Sequence, residues 1–72
     1  MTADEAHWLA FTVSELFGRK HLKIRVRSEE EARVKVAMIR EAVAAAAPGL
    51  KSYQRKAILR HLEVDIRPDP VP

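Results

Sequence analysis

The sequence predicts a small α+β domain of order helix, strand, helix, helix, strand, and three observations carry that prediction. Basic and apolar residues alternate strictly from His21 to Arg27, and a second alternating run from Leu62 to Arg67 sets Glu63 and Asp65 where the first run has bases. The remaining segments show helix caps and apolar residues at helical spacing. Leu22, Ile24 and Val26 fall on one strand face, with Lys23, Arg25 and Arg27 on the other; Leu62, Val64 and Ile66 repeat the arrangement. Two such strands with complementary wet faces are natural neighbours, each opposite-charge pair contributing roughly 0.2–1 kcal/mol. Because two strands alone are marginal, the helices are expected to cover one face of a two-stranded sheet, or two chains to share a four-stranded one.

The first helix is expected from about Ala3 to Phe17. Thr2-Ala3-Asp4-Glu5 has the spacing of a capping box. Leu9, Thr12, Val13, Leu16 and Phe17 form one stripe, extended by Ala6, and Gly18 suits the left-handed residue that closes a helix. Trp8 and Phe11 point away from that stripe. A second capping box, Ser28-Glu29-Glu30-Glu31, opens the next helix with three carboxylates at the positive end of its dipole. Its stripe is Ala32, Val36, Ile39, Val43 and Ala46, with Glu29 to Arg33 and Glu31 to Lys35 as supporting pairs and Pro48-Gly49 as the stop. Val34 and Met38 lie on its far side. A third, shorter helix fits Lys51 or Ser52 to Arg60, with Tyr53, Ala57, Leu50 and Ile58 expected to face inward.

The 72 residues allow one domain, assigned to residues 1–67, and the proline-rich residues 68–72 read as a flexible tail, since proline removes backbone donors. A chain this short hides only about 60% of its extended surface, so self-association would help it. Composition, at 47% hydrophobic and 32% charged, describes a globular domain rather than a disordered tail. Without cysteine there is no disulfide or thiolate metal site. No apolar run approaches the roughly 18 residues a membrane span needs, and acids near the N-terminus argue against a signal peptide; a cytoplasmic protein is the default expectation.

Thirteen Lys and Arg against ten Asp and Glu leave a net charge of +3, too mild to name a partner, so distribution decides. The basic strand face would track phosphates unless Glu63 and Asp65 neutralise it. The third helix is the stronger nucleic-acid candidate: Lys51, Arg55, Lys56 and Arg60 crowd a short segment without acids, beside Tyr53 and Gln54 that would contact bases or sugar. A second reading is a protein-interaction module, antitoxin-like, phage-encoded or adaptor, with Trp8, Phe11, Val34 and Met38 as an apolar partner or homodimer surface. Catalysis has little support. His7, His21 and His61 are scattered, Glu29 to Glu31 are explained by capping, and Ser14, Ser28 and Ser52 lack a nucleophile context. No enzyme activity, cofactor or metal is expected.

The element order looks like the trunk of a winged helix, in which the third helix would be the recognition helix. From Leu22 to Arg67 the chain also resembles the strand-helix-helix-strand core of KH domains. Their Gly-x-x-Gly loop is here Pro48-Gly49-Leu50-Lys51-Ser52, with one glycine. No functional residue is carried over from either family.

Overall fold

A computed structural model describes residues 2–68. It contains α1 (Ala3–Phe17), β1 (Leu22–Val26), α2 (Glu29–Ala46), α3 (Ser52–Leu59) and β2 (Leu62–Ile66). Beyond Pro68, the expected proline-rich tail lies outside the described residues.

The two strands form a two-stranded parallel sheet in which Leu22 stands beside Leu62, Lys23 beside Glu63, Ile24 beside Val64, Arg25 beside Asp65 and Val26 beside Ile66. A parallel pair needs a long crossover, and α2 with α3 supplies it. The apolar strand face meets the helices. Val13 and Leu16 of α1, Ile24 of β1, and Ile39 and Val43 of α2 form the buried centre, with Leu22, Leu62, Val64, Ile58 and Leu59 packed against it. Charged residues of both strands occupy the opposite, solvated face. Thr12 is the one buried polar side chain among the described residues, and its hydroxyl donates to the Trp8 carbonyl at 2.8 Å.

Caps fix the helix starts. The Thr2 Oγ1 accepts from the Glu5 N–H at 3.1 Å, and the Ser28 Oγ accepts from the Glu31 N–H at 3.1 Å. The expected reciprocal arms differ. Thr2 donates its hydroxyl to Glu5 Oε1 at 3.4 Å, and Glu31 Oε2 accepts from the N–H of Arg27, one residue before the cap, at 3.1 Å. That hydrogen bond holds the Glu31 carboxyl below the usual glutamate range, with Lys35 acting in the same direction and partial desolvation opposing it. Glu29 and Arg33 lie 4.0 Å apart, and Glu31 and Lys35 3.5 Å.

The end of α1 departs from expectation. Gly18 has φ −75° and φ is positive, at 58°, at Arg19. Arg19 N–H donates to the Leu16 carbonyl at 3.0 Å and Lys20 N–H to the Glu15 carbonyl at 3.2 Å, the paired bonds of a Schellman motif. Gly18 therefore serves as the cap, and the left-handed position falls one residue later. The predicted stripe also overreaches. Ala6, Phe17 and Ala46 are exposed: Ala6 and Ala46 flank an open depression between α1 and α2, and Phe17 lines the groove beside α3.

A further correction concerns α3, where Tyr53 and Ala57 point outward instead of inward. Ile58 and Leu59 are adjacent bulky apolar residues about 100° apart around the helix. Packing both against the core, with Leu50 also half-buried, turns the Tyr53 side toward solvent. Tyr53 is 66% exposed.

Candidate nucleic-acid interface

The helical phase of α3 sorts its side chains by availability. Tyr53, Lys56, Ala57 and Arg60 are all exposed and recur at the three- and four-residue spacing of one helix face. Gln54 and Arg55 are half-buried and engaged with the backbone. Gln54 Oε1 accepts from the Lys51 N–H at 2.9 Å, and Arg55 Nη1 donates to the Leu50 carbonyl at 2.8 Å. These bonds tie the start of α3 to the turn that follows α2. Lys51 is exposed at the N-cap.

Beside this face runs a groove of about 490 Å³. Phe17 and Arg19 line it from the end of α1, and Leu50, Tyr53, Ile58 and His61 from around α3. The fold thus brings the basic turn after α1 against α3. Arg19-Lys20-His21 is visible in the sequence as a basic run, yet only the tertiary packing of α1 on α3 makes Arg19 and Phe17 part of this surface. No acid occurs between Glu41 and Glu63. Among the described residues, Arg19, Lys51, Lys56 and Arg60 have no carboxylate within 4.0 Å. Their charge is available to an anion.

The basic strand face is different, because its charges are occupied. Lys23 Nζ is 3.5 Å from Glu63, and His21 Nε2 is 3.7 Å from the same carboxylate. Asp65 lies 3.8 Å from Arg25 and 2.9 Å from Arg67. Exposed pairs of this kind stabilise by at most about 1 kcal/mol each, but they cancel much of the field a phosphate would feel.

Trp8 lies between Val34 and Met38 on one side and Phe11 on the other. Trp8 is half-buried, its ring 5.0 Å from the Lys35 ammonium, a cation–π contact. On one side of it, Val34 and Met38 line a shallow depression rimmed by Asp4, Glu5 and Glu31. On the other, Phe11 stands over the outer edge of β1, beside Lys23 and Arg25. Phe11 and Val34 are 56% and 55% exposed.

Among the described residues no three His, Asp or Glu side chains converge to hold a metal ion, and no helix is long and apolar enough to cross a membrane. No protein-family model matches the chain, and neither a curated protein nor a solved structure matches it.

Proposed function

We propose that the chain is a small, cytoplasmic, non-enzymatic module that binds nucleic acid through α3 and the turn after α1, with single strands as the preferred form. The observation that carries this reading is the placement of exposed Tyr53 and the groove-lining Phe17 among four cations, Arg19, Lys51, Lys56 and Arg60, that have no carboxylate partner among the described residues. Sequence-tolerant binding of single strands combines those two ingredients, aromatic platforms on which bases stack and cations that track the backbone. Part of the base-reading capacity of α3 is already committed within the fold. Gln54 and Arg55, two side chains capable of bidentate base contacts, are tied to backbone groups, which leaves Lys56 and Arg60 beside Ala57 on the exposed face. Phosphate contact and stacking remain.

Arg19 adds a separate argument. A non-glycine residue in the left-handed region carries a cost of roughly 1–2 kcal/mol that glycine would avoid, and such strain concentrates where a side chain has work to do. Here the strained residue is the one cation that lines the groove.

The test is fluorescence anisotropy with a labelled oligothymidylate and with a duplex of the same length, at two salt concentrations. The reading expects tighter binding of the single strand and a steep loss of affinity with salt. Salt-independent binding, or none to either probe, would contradict it. A second reading, a protein-interaction module without nucleic-acid binding, draws on the exposure of Phe11 and Val34. In that case Phe11→Ser and Val34→Ser abolish capture of the partner, and oligonucleotides do not bind.

A further inference from the structure

We infer that two copies of the chain associate through the outer edge of β2, forming a mixed four-stranded sheet whose central β2–β2 seam is antiparallel, around a two-fold axis near Val64. The inference rests on the β2 edge and the α2 surface beside it, and is independent of nucleic-acid binding.

The ladder shows which backbone groups are offered. Leu22 N–H donates to the His61 carbonyl at 2.9 Å and Arg67 N–H to the Val26 carbonyl at 2.8 Å. In a parallel pair this parity turns the polar groups of Leu22, Ile24 and Val26 toward β2, and those of Leu62, Val64 and Ile66 toward the open edge. A second β2 laid antiparallel with Val64 opposite Val64 would exchange those N–H and C=O groups, with Leu62 opposite Ile66. Beside this edge, Ala32, Val36 and Ala37 of α2 join Val64 and Ile66 in a largely apolar groove of about 560 Å³. Ile66 is 42% exposed there, although it lies on the apolar strand face.

Charge selects this edge over that of β1, and selects a second copy as the occupant. The wet face of the sheet carries Lys23, Arg25, Arg27 and Arg67 against Glu63 and Asp65. Self-pairing of β1 would gather its cations at the seam, where like charges directly opposed are destabilising. Self-pairing of β2 gathers carboxylates instead, and each is already held between two basic groups: Glu63 between Lys23 and His21, Asp65 between Arg25 and Arg67. The rim of the groove is self-complementary in sign. Arg33 and Arg40 stand on it with Glu41, and Glu41 has no basic partner within 4.0 Å among the described residues. Side-by-side antiparallel copies of α2 set each Glu41 near a cation of the other rim.

Sedimentation velocity of the full chain from about 1 to 500 μM, bracketing micromolar affinities, tests the inference. The wild type is expected to convert from monomer to dimer across this range. Ile66→Lys should raise the dissociation constant more than about tenfold, an amount equal to some 1.4 kcal/mol, and Phe11→Lys, on the other edge, should leave it unchanged. Glu41→Arg, at an exposed helix position, should weaken the dimer, and adding Arg33→Glu should restore it. A wild type that stays monomeric throughout, or a dimer lost with Phe11→Lys and indifferent to Ile66→Lys, overturns the inference.

Discussion

Gly18, at φ −75°, is followed by Arg19, at φ 58°, so the residue that most easily adopts a left-handed backbone stands one position before the residue that does. The order of these two residues links the fold to the proposed binding surface. It sets the path from α1 into β1 and carries a cation to the groove beside α3.

Arg19→Gly is therefore expected to raise stability by roughly 0.4–1 kcal/mol or more, because the left-handed penalty disappears. The same change should weaken oligonucleotide binding and flatten its salt dependence by about one phosphate contact, a slope of roughly 0.7 for a single strand. Gly18→Ala should fall within about 0.5 kcal/mol of the wild type, since the added Cβ would meet the Glu15 and Ser14 carbonyl oxygens at 3.4 and 3.6 Å. Urea denaturation and anisotropy together read both effects. Equal loss of stability in the two variants would show that Arg19 is unstrained.

Ile39→Ala should nearly abolish folding. Ile39 is fully buried in the cluster with Val13, Leu16, Ile24 and Val43. Truncating such a residue costs about 2–5 kcal/mol, and the whole domain has only several kcal/mol at roughly 0.05–0.15 kcal/mol per residue. Far-UV circular dichroism would show the loss directly.

The Lys23 and Glu63 pair supports the sheet and lies outside the proposed binding surface. Lys23→Glu should lower stability by up to about 1 kcal/mol, and Glu63→Lys in the same chain should recover most of it. Oligonucleotide affinity should fall less with Lys23→Glu than with Lys56→Glu, because Lys23 already faces a carboxylate at 3.5 Å and Lys56 does not.

Glu31 predicts an acid-sensitive contribution at the start of α2. Its carboxyl is held below the usual glutamate range, first by the Arg27 N–H and then by Lys35. The folded-state value is thus depressed, so the stabilisation is present above the unfolded value. It is lost as pH falls from the ordinary glutamate range through the lowered folded value. Thermal melts from neutral pH downward should show a smaller acid-side decline in Glu31→Gln, and an unchanged decline would remove the assignment.

Much of the fold was legible because local signals agreed. Thr2 and Ser28 mark both long-helix starts, Pro48-Gly49 marks the end of α2, and the alternation of Lys23 and Arg25 with Leu22, Ile24 and Val26 marks a half-buried strand. Strand direction was not legible. Lys23 and Arg25 match Glu63 and Asp65 equally well in either direction, and the α2–α3 crossover decides for parallel. The phase of α3 was ambiguous for a related reason, since Tyr53 with Ala57 and Ile58 with Leu59 compete for the core, and only the packing partners on α1 and α2 choose between them. Within the candidate site, the cations of α3 could be read from composition. The part played by Phe17 and Arg19 depends on tertiary contact, which no local pattern encodes.

The central claim is that the surface joining α3 to the turn after α1 holds a nucleic-acid backbone, and it is tested most directly by titrating a labelled oligothymidylate with wild type and with the Lys56→Ala, Arg60→Ala double variant at two salt concentrations. Both cations are exposed and outside the core, so the fold should survive. The expected result is an affinity at least about tenfold lower for the variant, with a salt slope reduced by roughly 1.4, or 0.7 for each lost contact. An affinity and slope identical to those of the wild type would contradict the account.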